Sequence, residues 1–390
     1  MPKAREKSPE VALMSKAISR YLKYLLACQI KRRYGLVCPP RLDSPPVMER
    51  ILPRCLRRAP PRPSSRHRKA THPMSDSATP TAESPAPVHP GSETPETLAQ
   101  RGRRLPDWIR AKVASGEKYA QVKELVAGQK LHTVCEEARC PNLGECWSRG
   151  TATFMILGDI CTRACRFCAV KTGRPTELDL DEPRRVADSI AIMRLRHAVI
   201  TSVNRDELLD GGACIFAELL RQVREKAPGT RMELLIPDMM GRRDALNAIF
   251  AEKPDILNHN LETVPRLYRD VRPSASYGRS LNVLAWAKEA GLKTKSGMML
   301  GLGEELDEVR DVMRDLVAIG CDILTLGQYL RPTAWHHEVV RFVHPDEFAQ
   351  LKEEGIAMGF RHVEAGPLVR SSYHADEQTD AAEARSACSV

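Results

Sequence analysis

Beyond Thr151 the chain alternates between short apolar runs and longer helical patterns, and this alternation constrains the fold more than any other feature. Six runs rich in apolar and β-branched residues have the length of buried strands. The predicted strands are Thr153–Leu157, His197–Val203, Met232–Pro237, Asp255–Glu262, Lys293–Leu300 and Asp322–Tyr329. The helices predicted to follow them are Pro183–Leu195, Ala213–Lys226, Arg242–Ala251, Ser280–Ala290, Glu305–Ile319 and Pro345–Met358.

Strands that are joined by helices must run parallel, and right-handed crossovers curve the resulting sheet. Six strand–helix units are too few to close an eight-stranded barrel. The alternation therefore predicts an α/β fold, a partial (β/α)6 TIM-like barrel that stays open. In such parallel sheets, functional side chains gather at the carboxyl ends of the strands.

Six of the twelve cysteines lie within 34 residues and form two triplets. The first triplet is Cys135, Cys140 and Cys146, and the second triplet is Cys161, Cys165 and Cys168. Thiolates that converge from short loops suit a soft metal or an iron–sulfur cluster. A structural zinc site normally has four protein ligands, which a triplet does not supply. A cluster held by three cysteines instead keeps one iron open to a small molecule.

The net charge of +9 belongs to the amino-terminal part of the chain. Residues 1–73 carry 18 basic and 4 acidic side chains, whereas residues 74–390 carry 41 basic and 46 acidic ones. The globular part is mildly acidic, so we expect no nucleic-acid partner there. No run approaches the roughly eighteen uninterrupted apolar residues of a membrane span, so we expect no membrane partner either.

Residues 1–104 are expected to form a disordered leader, because Pro, Ser, Thr and Arg dominate it and little apolar surface can be buried. Three explanations stay open: an organelle-targeting leader, a nucleic-acid-binding tail, or translated sequence upstream of an authentic start at Met74. The expected location is the cytoplasm, with the mitochondrial matrix as the alternative if the basic stretch at residues 18–30 is part of a transit peptide.

Ordered structure is predicted to begin near Arg104, with Trp108 as an apolar anchor and a helical segment that runs to about Val126. Residues 105–150 are expected to form an N-terminal extension with the first triplet. Residues 151–362 are expected to form the barrel, and residues 363–390 are expected to form a C-terminal tail with the R-S-S-Y motif. The second triplet directly follows the first predicted strand, so we expect it at the barrel mouth.

The second triplet, in C-T-R-A-C-R-F-C with Phe167 before its last cysteine, resembles the signature of the radical S-adenosylmethionine (SAM) enzymes. Together with the first triplet, in V-C-E-E-A-R-C-P-N-L-G-E-C-W, it is similar to the lipoyl synthase family. Further stretches that resemble this family are T-S-V-N-R-D-E-L-L-D-G-G-A, N-H-N-L-E-T-V-P-R-L-Y, L-G-Q-Y-L-R-P and V-R-S-S-Y-H-A. The resemblance extends from about Arg104 to Ala375.

The resemblance implies a barrel of the radical SAM type whose N-terminal and C-terminal extensions cover the barrel mouth. It also implies three cofactors, namely SAM and two 4Fe-4S clusters. The second triplet would hold the SAM-cleaving cluster. The first triplet and a serine of R-S-S-Y, which we assign to Ser372, would hold an auxiliary cluster, with Arg370 orienting the serine. A serine alkoxide is a more labile iron ligand than a thiolate, which suits a cluster that must come apart.

SAM contacts follow from the same resemblance. The residues expected to bind SAM are Phe167, Asn204, Gly211, Gly212, Asn260 and Glu262. Asn204 stands where the family commonly has Asp. The loop with Arg331 and His336 after the last predicted strand is either a solvated loop or a substrate contact.

The implied activity is that of a radical SAM sulfurtransferase that inserts two sulfur atoms at carbons 6 and 8 of an octanoyl chain on a carrier lysine, with the auxiliary cluster as the sulfur donor. The expected partners are an octanoylated lipoyl carrier domain or glycine cleavage H protein, a one-electron reductant such as ferredoxin or flavodoxin, and an iron–sulfur carrier. We expect a monomer. Two alternatives are another sulfur-inserting radical SAM enzyme, biotin-synthase-like or methylthiotransferase-like, and a zinc-stabilised nucleic-acid-binding protein.

Overall fold

The computed structural model describes residues 105–110, 116–129, 131–138, 140–149 and 153–388. The predicted leader at residues 1–104, including Met74 and the basic stretch at residues 18–30, lies outside the described residues and stays a prediction. In the described part, no helix is both long enough and apolar enough to span a membrane.

An eight-stranded sheet lies at the centre of the described part, with the strand order β1-β2-β5-β6-β7-β8-β9-β10. Its strands are β1 (His132–Thr133), β2 (Thr153–Ile156), β5 (His197–Ser202), β6 (Arg231–Leu235), β7 (Ile256–Asn258), β8 (Thr294–Leu300), β9 (Ile323–Gln328) and β10 (His362–Gly366). Two short strands, β3 (Ile160–Cys161) and β4 (Lys171–Thr172), pair in parallel beside it.

Three helices lie in the N-terminal extension. The helices that follow alternate with the strands of the sheet. The early helices are α1 (Glu117–Gly128), α2 (Val134–Glu137) and α3 (Leu143–Ser148). The helices of the barrel and tail are α4 (Glu182–Met193), α5 (Ala213–Lys226), α6 (Arg243–Phe250), α7 (Tyr268–Val271), α8 (Tyr277–Glu289), α9 (Leu306–Ala318), α10 (Pro345–Met358) and α11 (Ala375–Cys388).

The predicted fold class is confirmed, because the six predicted strands are all present and are joined through parallel pairs from β2 to β9. The sequence reasoning did not find the two outer strands. β10 pairs in parallel with β9, and β1 pairs antiparallel with β2. β1 and β10 are the two ends of the sheet order, so the sheet is open. β10 also falls across the predicted boundary at residue 362.

Helix α9 illustrates how the sequence specifies the layers. Glu305 and Glu308 form a capping box at its start, which satisfies backbone N–H groups that have no partner within the helix. One face of α9, with Val309 and Val312, is buried against the sheet. Gly320 has a φ of 78° just after the helix, a left-handed conformation that glycine adopts without strain.

The antiparallel pairing of β1 with β2 determines the position of the first triplet. Its Thr133 pairs with Phe154 and its His132 with Met155, so the chain leaves β1 toward the amino end of β2. The second triplet follows the carboxyl end of the same strand. β2 has four residues and so spans about 13 Å. The two triplets therefore lie toward opposite ends of one short strand.

Helix α11 packs against the amino ends of the strands. Arg231, the first residue of β6, donates to Asp380 at 2.7 Å, and Lys293, just before β8, pairs with Glu383. The sequence predicts a tail over the barrel mouth, whereas this helix covers the opposite edge. Strand β10 ends at the carboxyl edge of the sheet, whereas α11 lies at the amino edge. Residues 367–374 therefore run back across the sheet before α11 begins.

Candidate metal centres

The second triplet is anchored to the loop that follows β5. The backbone N–H of Asn204 lies 3.4 Å from the sulfur of Cys161 and donates to it. The backbone N–H of Thr162 in turn donates to the carbonyl oxygen of Asn204 at 3.0 Å. The prediction that this triplet lies at the carboxyl ends of the strands is thus consistent with its neighbours, since Asn204 lies two residues past the end of β5.

A buried arginine between the first two cysteines of this triplet fixes the loop. Arg163 donates to both carboxylate oxygens of Asp206, at 2.7 and 2.8 Å, and to Asp238 at 2.6 Å. Arg279 donates to the second oxygen of Asp238 at 2.6 Å. Burial raises the pKa of Asp238, but the two arginines outweigh it and hold that pKa well below its usual range. The carboxylate is therefore charged and fully paired.

The thiols of the second triplet interact electrostatically with one another. Burial raises the pKa of Cys165 to about 11 and the pKa of Cys168 to about 12, and neighbouring cysteines add to the shift. Arg272 opposes it at Cys165. Because metal ligands must be thiolates, binding of a metal at this site would have to release protons. The high pKa values thus describe the metal-free thiols.

The sequence allows two interpretations of the loop with Arg331 and His336, a solvated loop or a substrate contact. In the structure this loop contacts the second triplet. The Nε2 atom of His336 donates to the carbonyl oxygen of Cys168 at 2.9 Å. The backbone N–H of His337 donates to the carbonyl oxygen of Arg166 at 2.7 Å. This loop therefore supports the cysteine loop and is not simply solvated.

The residues predicted to bind SAM are distributed around this loop. Glu262, just past β7, is close enough to Cys165 and Cys168 to affect their pKa values. The side-chain oxygens of Asn204 and Asn260 are buried and have no hydrogen-bond partner in the protein. Buried acceptors of this kind are rare unless a ligand or water completes them. Phe167 is partly buried against the core.

Gly211 and Gly212 are explained by packing. Their φ angles are 64° and 91°, which favour glycine. A Cβ atom would lie 2.9 Å from the sulfur of Met239 at the first position and 2.4 Å from a methyl of Leu157 at the second. Side chains of the chain itself therefore pack closely against both glycines, and their contact with SAM stays a prediction.

The first triplet lines a cavity of about 830 Å³. Cys135 lies in α2, Cys146 lies in α3, and Cys140 lies between the two helices. Burial raises the pKa of Cys135 to about 11 and the pKa of Cys146 to about 12, and the thiols raise one another's values. The three cysteines are therefore electrostatic neighbours that share this cavity.

The tail brings the predicted serine into the same cavity. Ser372 and Arg370 line it together with the three cysteines. The Arg370 charge also acts on Cys140, where it opposes the rise in pKa that burial causes. The side-chain amide of Asn142, two residues after Cys140, donates to the carbonyl oxygen of Leu368 at 2.7 Å. The structure thus brings together the four residues predicted for the auxiliary site.

A set of polar contacts holds the tail against α3. Arg149 donates to Glu377 at 2.6 Å and lies 2.8 Å from the Nε2 atom of His374. The Tyr373 hydroxyl donates to Glu145, next to Cys146, at 3.3 Å. Arg149, Tyr373 and His374 also line the cavity, so these contacts form part of its wall next to the C-terminal helix.

The donor set of this cavity fits an iron–sulfur group. Three thiols and a hydroxyl line one space, and the buried indole N–H of Trp147 lies beside the thiol of Cys135, where it lowers the pKa of that group against the effect of burial. Among the described residues, no group of three or more His, Cys, Asp or Glu side chains is arranged to hold a metal ion. The assignment of ligands therefore rests on sequence spacing together with the shared cavity.

The sequence analysis does not identify several polar residues of this cavity, and the most deeply buried titratable one among them is His197. It is the first residue of β5, it lines the cavity, and its side chain is only 4% exposed. The carboxylate beside it belongs to Glu233, which pairs with Lys295. Both of these side chains are fully buried inside the sheet. A sequence signal exists, because each of these residues is a charged or titratable side chain within a strand whose pattern predicts burial.

Two family models match the chain. Residues 155–316 match the radical SAM superfamily, and residues 91–140 match the N-terminal domain of lipoyl synthase of the radical SAM family.

Curated relatives match over most of the chain. Lipoyl synthase from Rubrobacter xylanophilus is 60% identical over 284 residues, which cover 72% of this chain and 88% of that protein. Lipoyl synthase from Thiobacillus denitrificans is 58% identical over 74% of this chain and 93% of its own length. Lipoyl synthase from Bacillus subtilis is 58% identical over 72% of this chain and 95% of its own length.

Proposed function

The chain belongs to the lipoyl synthase family of the radical SAM superfamily, and from this premise we propose that it inserts two sulfur atoms into a protein-bound octanoyl chain. The sulfur atoms enter at carbons 6 and 8, and the octanoyl group is carried on a lysine of a lipoyl carrier domain or glycine cleavage H protein. Unactivated C–H bonds resist acid–base chemistry, so the reaction needs a radical that a cofactor supplies.

One observation carries the proposal. Ser372 shares a cavity with Cys135, Cys140 and Cys146, although it is far from them in the sequence. A second set of three cysteines follows the other end of β2. Two separate donor sets, one with three thiols and one with three thiols and a hydroxyl, fit two clusters with different tasks.

The roles of the residues follow from their places. The second triplet would hold the SAM-cleaving cluster, with Glu262, Asn204 and Asn260 offering polar contacts to SAM. The first triplet and Ser372 would hold the sulfur donor. When bound, these groups would supply an electron for reductive SAM cleavage at one end of β2 and sulfide at the other.

The chain's own side chains would prepare these sites. Arg163, clamped by Asp206 and Asp238, holds the second cysteine loop in place before any ligand arrives. Burial of this clamp excludes water from one side of the loop. On the other side, His336 holds the carbonyl oxygen of Cys168. Such preorganisation reduces the entropy cost of binding.

The cavity has room for more than a cluster. Its volume of about 830 Å³ falls within the range typical of ligand pockets. Apolar side chains such as Val199 and Leu125 line part of it and suit an alkyl chain. We propose that the octanoyl chain reaches the sulfur donor through this cavity and that a one-electron reductant and an iron–sulfur carrier serve the enzyme.

Metal analysis and an assay test the proposal together. Protein reconstituted without oxygen should hold about eight irons and about eight sulfides per chain. With SAM and a reductant it should convert an octanoyl-lysine peptide to the lipoyl product. The substrates of a biotin synthase and of a methylthiotransferase serve as controls and should not react.

Two outcomes would contradict the proposal. Zinc without sulfide would favour a structural metal site, as in the nucleic-acid-binding alternative. Two clusters with no activity on the octanoyl peptide, but turnover of a control substrate, would assign the chain to another sulfur-inserting activity.

A further inference from the structure

The cavity of the first triplet opens to solvent. Its lining includes buried residues such as Cys135 and also side chains that are exposed, and the exposed ones mark the opening. We call four of these exposed residues the cavity rim: Lys118 of α1, and Ile192, Arg194 and Arg196 at and after the end of α4. The Arg196 side chain is 80% exposed, and Ile192 is 61% exposed.

The lining of this cavity differs in charge from the chain around it. Residues 74–390 carry 41 basic and 46 acidic side chains, whereas the lining has five basic residues and two acidic ones. Besides the three rim cations, the basic ones are Arg149 and Arg370, and the acidic ones are Glu124 and Asp376. A cleft that collects one sign of charge attracts a partner of the opposite sign.

The rim cations are not neutralised by close carboxylates. Within the part of the chain that the structure describes, neither Lys118 nor Arg194 forms an ion pair or a side-chain hydrogen bond. Arg196 lies 3.9 Å from Asp380, and this carboxylate is closer to Arg231, at 2.7 Å. The three charges are therefore available to a partner.

Two packed helices hold the rim in place. Val122 of α1 and Ile190 of α4 belong to the same buried core cluster. The Arg185 side chain of α4 donates to the carbonyl oxygen of Gln129, just after α1, at 3.1 Å. A docking surface on fixed elements loses little entropy when a partner binds.

The proposed reaction determines what must rest on this rim. An octanoyl chain that reaches the first triplet through the cavity is attached to a lysine of a folded carrier, which is far larger than a cavity of about 830 Å³. The carrier surface around that lysine must therefore contact the opening. The exposed Ile192 beside the rim cations favours a protein over a nucleic acid, because protein interfaces combine apolar contacts with a polar rim.

We propose that the cavity rim is the docking surface for the octanoylated carrier, which contacts it through an acidic face around the modified lysine. The inference rests on the proposed function, because it needs an octanoyl chain that enters this cavity. Ion pairs with Lys118, Arg194 and Arg196 hold the carrier at the opening. Complementary charges of this kind steer association, and salt weakens them.

Binding of octanoylated glycine cleavage H protein to the full, cluster-loaded chain tests this surface. In calorimetry the affinity should fall as the salt concentration rises. The triple variant Lys118→Glu, Arg194→Glu and Arg196→Glu should bind at least about tenfold more weakly and lose this salt dependence. It should hold as much iron and sulfide as the unmodified chain, because no proposed ligand is changed. Conversion of the short octanoyl-lysine peptide should fall much less, because the peptide has no acidic face.

Three exposed cations outside the cavity provide the matched control. The variant Lys123→Glu, Lys253→Glu and Arg314→Glu changes the net charge by the same amount, on α1, after α6 and on α9. None of these residues lines the cavity. This control should bind the carrier nearly as tightly as the unmodified chain.

The outcomes separate the inference from the proposed function. If the unmodified chain converts neither the peptide nor the carrier, the proposed function fails. If it converts the peptide but its affinity for the carrier is independent of salt, or if the rim variant and the control bind equally, the docking surface is refuted. A rim variant that loses binding to a short DNA duplex but not to the carrier also refutes it. The salt dependence is measured with the rim intact, so the test holds even if the rim variant does not fold.

Discussion

The side-chain amide of Asn260 donates a hydrogen bond to the hydroxyl of Ser371 over 2.7 Å. Asn260 lies just past β7, on the side of the sheet where the second triplet is found. Ser371 is the neighbour of Ser372, which lies in the cavity of the first triplet. This one bond therefore connects the surroundings of the two candidate centres.

The first prediction concerns Ser371 and Ser372, which are adjacent in the chain but make different contacts. Ser372→Ala should reduce sulfur insertion strongly and lower the iron content of the first triplet, because it removes a proposed ligand. Ser371→Ala should retain the iron. It loses one hydrogen bond, worth about 1 kcal/mol, so its activity should fall only severalfold. Iron analysis and the octanoyl-peptide assay measure both effects.

Ser372→Cys is the matched control, because a thiolate can still bind iron. It should keep the cluster. If Ser371→Ala loses the cluster and Ser372→Ala retains it, the ligand assignment within R-S-S-Y is reversed.

A second prediction uses the close approach between β9 and the tail. A Cβ atom at Gly327 would lie 2.1 Å from the carbonyl oxygen of Val369. Gly327→Ala should therefore displace the tail, at a cost of about 1–3 kcal/mol. It should lower the iron bound at the first triplet while SAM cleavage by the second remains.

Gly366→Ala is the control for this prediction, since a Cβ atom there would meet Val369 at an ordinary 3.4 Å. Equal iron content and equal sulfur insertion in the two variants would show that the tail is not held by this contact.

A third prediction concerns the clamp on the second triplet. Asp238 is fully buried between Arg163 and Arg279. Asp238→Ala removes the carboxylate that Arg163 and Arg279 share and leaves Arg279 without an acidic partner, so the free energy of unfolding should fall by about 3–5 kcal/mol. Asp206→Ala should cost less, because Asp206 is 27% exposed and Arg163 keeps its other partner. Urea unfolding of the two variants measures this order, and an equal loss would contradict it.

A fourth prediction concerns Glu233 of β6, which is fully buried with Lys295 and accepts a hydrogen bond from the side-chain amide of Asn258. Burial raises the pKa of Glu233, but Lys295, His197 and Asn258 outweigh it and lower that pKa from 4.5 to about 2. Because the folded pKa is the lower one, the stabilisation is fully present above pH 4.5 and is lost as the pH falls toward 2. It amounts to about 3 kcal/mol.

Glu233→Gln should therefore be less stable at neutral pH and lose less stability between pH 4.5 and pH 2 than the unmodified chain. Urea unfolding across this range measures the difference. The exposed Glu353→Gln should follow the unmodified chain. Parallel curves for Glu233→Gln and the unmodified chain would show that this carboxylate does not titrate as stated.

The sequence predicts the central sheet well because β5, β8 and β9 are buried runs separated by helices with clear apolar faces. β10 escaped prediction because H-V-E-A-G is polar and has no strand pattern; it is a strand because β9 offers it an edge. β1 has only two residues, and its antiparallel pairing cannot be read from local sequence.

The candidate sites, like the fold, can be predicted from the sequence only in part. Spacing predicts the cysteine triplets, and the resemblance predicts Ser372. That the triplets lie toward opposite ends of β2 depends on β1, and the path of the tail depends on β10. His197 was passed over because a single titratable residue at a strand start carries little signal until Glu233 and Lys295 are seen beside it.

Separate roles for the two triplets are the central claim, and a comparison of Cys140→Ala with Cys165→Ala tests it most directly. Both variants are reconstituted without oxygen and given SAM, a reductant and the octanoyl peptide, and 5′-deoxyadenosine and sulfur-containing product are counted in the same reaction. Cys140→Ala should still form 5′-deoxyadenosine but no sulfur-containing product, whereas Cys165→Ala should form neither. Loss of 5′-deoxyadenosine in a folded Cys140→Ala, or sulfur insertion by it at the unmodified rate, would contradict the division of roles.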